Sequence, residues 1–238
     1  MIAEPAAVEA AIPDGPRLNV GSGPSAPDGW TSLDGSWQAR LAGRPWLARL
    51  GRRFVGVDVG HWPRGVEYRD IRRGLAAADG SVAIVYASHV LEHLHRDDAV
   101  RFLSQARRAL KPGGICRVVV PDLHAIVTWY LAHREEPAEG RTIASSDLLM
   151  DLLMVRARGR RGGSGSRVLA AVRRAADLHE HKWMYDREGL VALFAEAGFV
   201  RARSRGYLDS AIPREALQQV EREDRVCRGA GVCVEARK

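Results

Sequence analysis

The chain has 238 residues, 46% hydrophobic and 27% charged, which is long enough for one full core. No apolar run approaches the roughly 18 residues of a membrane span, and residues 1–16 (MIAEPAAVEAAIPDGP) lack a basic leader region, so they read as a flexible N-terminus of a soluble protein. The net charge of +7 comes mostly from scattered arginines; with no nucleic-acid-binding motif anywhere, nucleic acid is not an expected partner.

In chain order, Arg17–Gly21 has strand character and runs into Gly-Ser-Gly (LNVGSGP, Leu18–Pro24). A buried strand that ends in glycines exposes bare backbone amides to a ligand, as in nucleotide and nucleoside-cofactor sites of α/β proteins. Trp30–Asp34 is a second extended piece, and Ser36–Leu50 has apolar residues at helical spacing. Arg53–Val59 and Val66–Ile71 are short and strand-capable. Val82–Ala87 is a continuous apolar run, as expected of a central parallel strand. Asp97–Leu110 is an amphipathic helix that Pro112-Gly113-Gly114 ends, and Ile115–Val120 is the next buried strand, with Cys116 a buried reduced thiol. Cys116, Cys227 and Cys233 are odd in number and lie outside any CxxC spacing, which fits a reducing cytoplasm.

This rhythm argues for a mostly parallel sheet with helices on both faces. After Asp122 come helical stretches at Leu123–His133, Ser146–Val155 and Val168–Leu178, so residues 123–181 read as a helical insertion over the C-terminal edge of the sheet. That insertion contains a Gly/Arg-rich segment, 156–167, read as a solvated loop rather than an anion site. A last helix, Arg187–Ala197, is capped by Asp186 and followed by strand-like Phe199–Tyr207 and Gly231–Arg237.

Gly21-x-Gly23-x-x-Ala26 fits a loose dinucleotide fingerprint, but Pro24, Pro27 and Gly29 oppose the helix which that fingerprint must open. Asp34 also comes sooner than the acidic residue such sites place about 20 residues on. LNVGSG, GWTSLDGSW, VEYRDIRRGL, DGSVAIVYASHVLEHL and RALKPGGICRVVVPD, in that order, instead resemble class I S-adenosylmethionine-dependent methyltransferases of the methyltransferase type 11-like branch. The resemblance implies a Rossmann-like class I fold: a seven-stranded, mostly parallel sheet with helices on both faces and a helical cap insertion, residues 17–238 forming one domain. It implies S-adenosyl-L-methionine as cofactor, with Asn19, Gly21, Ser22 and Gly23 along its methionine portion. Asp34 would accept the ribose hydroxyls, with Asp58 in VGVDVG as a rival for that role. Asp70 would meet the adenine amine and Ile71 cover the ring, while Ser88 and His89 would lie beside the sulfonium. The chain departs from the family pattern at Asn19, where an acidic residue is usual, and at Ser25, where a third glycine is usual.

His89-Val-Leu-Glu92-His93 also spells HxxEH, a zinc-hydrolase signature if it lies on a helix and finds a third ligand, for which Glu135, Glu136 and Glu180 are possible. Directly after VAIVYAS, however, His89 is expected at a strand exit. His179-Glu180-His181 reads as a surface or cleft feature rather than a metal site, and no metal is expected. In HEHKWMYDREGL, His181, Trp183 and Tyr185 are candidates for the acceptor pocket, with packing an equal reading for Trp183 and Met184. The expected activity is O- or N-methylation of a small-molecule or glycan-type acceptor, with His89 or His181 as general base. The alternatives are the zinc-dependent hydrolase and a non-catalytic binding domain of the same fold. The oligomeric state, monomer or homodimer, is not legible.

Overall fold

The computed structural model describes residues 11–42, 62–134, 145–154, 181–226 and 231–238. Among them a seven-stranded sheet forms from β1 (Arg17–Val20), β2 (Thr31–Asp34), β3 (Val66–Tyr68), β4 (Val82–Ser88), β5 (Leu110–Pro121), β6 (Val200–Arg205) and β7 (Gly231–Arg237). Their order is β3-β2-β1-β4-β5-β7-β6, and only β7 runs antiparallel to its neighbours. This is the Rossmann-like class I methyltransferase topology. Strand order reverses between β1 and β4, and the carboxyl ends there open the crevice in which such sheets bind ligands.

The apolar runs explain the centre of the sheet. Every residue of β4 is buried, as a strand covered on both faces requires. Alternation sends Val85 and Ala87 to one face and Ile84 and Tyr86 to the other. The first face is covered by α2 (Arg96–Ala109), through Phe102, Leu103 and Ala106, and by α5 (Arg187–Glu196), through Leu190, Leu193 and Phe194. On the second face lie two short helices, α6 (Arg214–Leu217) and α7 (Glu223–Val226), with Trp30, whose ring meets Tyr86 edge-on at 6.2 Å. The remaining helices are α1 (Trp37–Ala42), α3 (Leu123–His133) and α4 (Ser145–Met154); α3 and α4 pack against each other. No helix among the described residues is long and apolar enough to cross a membrane.

Several expectations are corrected. Strand β5 starts at Leu110, not Ile115: the chain leaves α2 directly into extended backbone, and Pro112-Gly113-Gly114 lies within the strand at an irregularity in its pairing with β4. Val66–Ile71 is not one strand, because Asp70 caps a 3₁₀ turn over Ile71–Arg73. Residues 11–16 are not a free tail: Ile12 packs on the second core face and Pro16 O accepts from Ala83 N at 2.9 Å. Cys116 is a buried free thiol, as read, and burial pushes its pKa up. Residues 1–10, Arg53–Val59 with Asp58, Glu135, Glu136, the 156–167 segment, Val168–Leu178, Glu180 and Cys227 lie outside the described residues.

Candidate functional site

The crevice between β1 and β4 is a cleft whose walls include Gly21, Asp34, Asp70, Ile71, His89 and His93. Strand β1 delivers Gly21 in a left-handed conformation, φ 68°, and Gly21 N donates to Leu33 O at 2.7 Å. Strand β2 ends on Asp34, which is buried. Asp34 Oδ2 accepts from Gly23 N and Oδ1 from Ser36 N, both at 2.8 Å. One carboxylate thus fixes the glycine turn on one side and the start of α1 on the other, and each oxygen keeps a lone pair for a ligand.

Asp70 caps the 3₁₀ turn by accepting from Arg72 N at 3.2 Å, and also accepts from Arg72 Nε at 2.8 Å and Nη2 at 2.9 Å. These bonds hold its carboxyl below the ordinary carboxylate range. Ile71, next to it, is the buried apolar residue of the same wall.

Strand β4 ends at Ser88, and the chain turns sharply at His89, a non-glycine residue at φ 56°. His89 N donates to Val119 O at 2.8 Å, which anchors the exit to β5. A 3₁₀ turn, Leu91–His93, follows, so His89 and His93 do not share the face of an α-helix. The helical HxxEH geometry of a zinc hydrolase is absent. His89 Nδ1 instead lies 3.3 Å from Glu92 Oε1, and Glu92 is buried.

The sequence-derived residues divide clearly. Gly21, Asp34, Asp70, Ile71 and His89 share the cleft. Gly23 joins through Asp34, and Ser22 Oγ donates to Gly23 O at 3.1 Å. Asn19 and Ser88 are buried within β1 and β4 and lie off the cleft wall. Tyr185 also lies off that wall. Its ring belongs to the main core, its hydroxyl is buried without a hydrogen-bond partner, and burial raises its pKa to about 12. His181 stands against His93, ring centroids 5.1 Å apart at 61°. Sequence reasoning took 179–181 for a surface or cleft feature. Of these only His181 is among the described residues, and it shares a cluster with Glu92 and the cleft-lining His93, one ligand atom of each lying within 4.8 Å of the others. The available signal was the density of histidines in both segments; what was missing was their proximity.

Comparison with known proteins adds the family. Residues 35–202 match a family described as "Methyltransferase domain". A curated protein of Mycolicibacterium smegmatis, named as a probable S-adenosylmethionine-dependent methyltransferase, is 35% identical over 85 residues, which cover 32% of this chain and 32% of that protein. The match thus spans about a third of the relative's length. Among solved structures, a SAM-dependent methyltransferase of Methanosarcina mazei aligns with a TM-score of 0.49 at 14% identity, covering 94% of this chain and 92% of that one. Another from Archaeoglobus fulgidus aligns at 0.47 and 16%, covering 94% and 87%.

Proposed function

Given that this chain belongs to the methyltransferase domain family, we propose that it binds S-adenosyl-L-methionine in the β1/β4 cleft and transfers the methyl group to a small-molecule or glycan-type acceptor, on oxygen or nitrogen. The observation that carries this reading is the buried Asp34 carboxylate at the end of β2, held by the amides of Gly23 and Ser36 beside a glycine turn. That arrangement fits a ribose bearing two adjacent hydroxyls, because two carboxylate oxygens can each accept one. Gly21 packs directly on Val90: a β-carbon there would lie 2.1 Å from Val90 Cγ2, whereas one at Gly23 would meet nothing within 4 Å.

In this reading Gly21–Gly23 lie along the methionine portion, and Asp70 and Ile71 bound the adenine. The cofactor supplies an electrophilic methyl on a sulfonium, and the protein's work is alignment and shielding from water. Val90 and Leu94 give the cleft apolar lining next to His89. His89 is the general base we assign, since it alone of the candidate bases lines the cleft and its Nδ1 faces a buried carboxylate. His181, one shell behind through His93, orients that side of the cleft. We place the protein in the cytoplasm, in keeping with its buried free thiols.

Calorimetry with S-adenosylhomocysteine tests the reading. The expected result is one binding event that Asp34→Ala weakens by about 10- to 100-fold, from loss of a charge-assisted hydrogen bond worth about 1.5–3 kcal/mol. Absence of binding to the unaltered chain would overturn it.

A further inference from the structure

Beyond facing His89 Nδ1, Glu92 is unassigned in the reading above, yet it is the most unusual group near the cleft. It is fully buried and neither carboxylate oxygen accepts a hydrogen bond. A carboxylate kept from water without hydrogen bonds is strongly unfavourable unless a positive charge stands against it. Besides His89, whose Nδ1 lies 3.3 Å from Oε1, two further imidazoles approach: a ligand atom of His93, one of His181 and one Glu92 oxygen all lie within 4.8 Å of one another. His181 Nδ1 is itself buried and without a hydrogen-bond partner. The backbone holds the three together, because Lys182 N and Trp183 N both donate to Glu92 O, at 2.7 and 3.2 Å. The segment carrying His181 is thereby fastened to the turn carrying Glu92 and His93.

We propose that Glu92, His93 and His181 bind one divalent first-row transition-metal ion. Two imidazoles and one carboxylate are the donor set that zinc and its neighbours accept, whereas magnesium and calcium require oxygen ligands throughout. Bonds of about 2.0–2.2 Å to the ion would draw the three ligand atoms somewhat closer than they now stand. Three protein ligands leave a coordination position open. Since His93 lines the cleft next to His89, the ion would stand beside the cleft. An acceptor reaching the open position would be held through an oxygen, nitrogen or sulfur donor atom. This last step rests on the cofactor reading; binding of the ion does not.

The test uses the full chain, stripped with a chelator and titrated with Zn²⁺ by calorimetry and with Co²⁺ by visible absorption. One equivalent is expected, with Co²⁺ bands of an imidazole–carboxylate site. His181→Ala and Glu92→Gln should each weaken Zn²⁺ binding by at least about tenfold. Thermal melts of the metal-free variants check that they fold; His181, only half-buried, is the safer of the two. Less than a tenth of an equivalent bound, or equal affinity in the folded variants, would overturn the site and leave only the His89–Glu92 contact. Titration of the same preparations with S-adenosylhomocysteine separates the two readings. Metal without cofactor binding keeps the site and sinks the methyltransferase reading; cofactor without metal does the reverse.

Discussion

A β-carbon on Gly21 would collide with Val90, whereas one on Gly23 would meet nothing within 4 Å. Both residues have positive φ, 68° and 57°, so alanine at either costs about 1–2 kcal/mol in conformation alone. Gly21→Ala adds about 1–3 kcal/mol of overpacking against Val90, so it should lower the melting temperature clearly more than Gly23→Ala. Equal shifts in thermal unfolding would show that Val90 yields without cost. Tyr185 gives a second residue-scale prediction. Its phenol, ordinarily near pH 10, is pushed up to about 12 by burial. The folded state therefore resists ionisation: the stability is whole below the ordinary value and falls as pH rises toward and through the raised one. Tyr185→Phe removes a buried hydroxyl that has no hydrogen-bond partner, so at neutral pH its stability should equal or exceed the parent's. In alkaline melts the parent should lose more stability than the variant between about pH 10 and 12. Loss of methyl transfer in the variant would instead give Tyr185 a part in the chemistry.

Helix α5 shows how a local signal sets a larger element. Asp186 Oδ1 accepts from Gly189 N at 2.8 Å, and three residues of the helix then enter the core. Asp186→Ala should cost about 1 kcal/mol by urea unfolding. Asp122 caps α3 in the same way, through His124 N at 2.9 Å, but α3 buries no residue. Its loss should therefore leave global stability nearly unchanged. At this scale the sequence was readable wherever one local cause dominates. Continuous burial marks β4, the amphipathic stripe marks α2, and Asp186 marks the start of α5. It misled where a turn signal sits inside extended backbone, as at Pro112-Gly113-Gly114, where Gly113 N donates to Lys238 O and Lys238 N to Gly114 O, both at 3.0 Å, which supplies what the residues themselves do not favour. The site was legible in the same measure. Gly21, Asp34 and His89 each end a strand, so their neighbours announce them. The meeting of His181 with Glu92 and His93 depends on 87 residues of intervening chain between His93 and His181, and no periodicity encodes it.

At the scale of the whole molecule, the second face of the sheet is organised around Arg117, a charged residue buried within β5. Its Nε and Nη2 donate to Glu221 at 2.7 and 2.9 Å, and Nη1 to Glu235 on β7 at 3.2 Å. The remaining donors reach Asp209 O at 2.9 Å and Gly206 O at 2.8 Å. All five N–H groups are thus used, and burial, which alone would lower the guanidinium pKa, is outweighed by Glu221 so that it is raised. Through one side chain the centre of the sheet is joined to β7, to the loop after β6 and to the segment between α6 and α7. Nothing in a strand of valines foretells this, because the partners lie 89 to 118 residues away. Removing the arginine leaves two buried carboxylates facing each other without a cation, so Arg117→Met should cost about 3–5 kcal/mol in urea unfolding. Adding Glu221→Gln and Glu235→Gln to Arg117→Met removes those charges and should recover part of the loss. If the network were only a local ornament, the single variant would melt like the parent and the triple variant would be the least stable. The cleft opens between β1 and β4, and no residue of the network is among those lining it. A folded Arg117 variant should therefore keep its affinity for S-adenosylhomocysteine, measured at a temperature well below its melt.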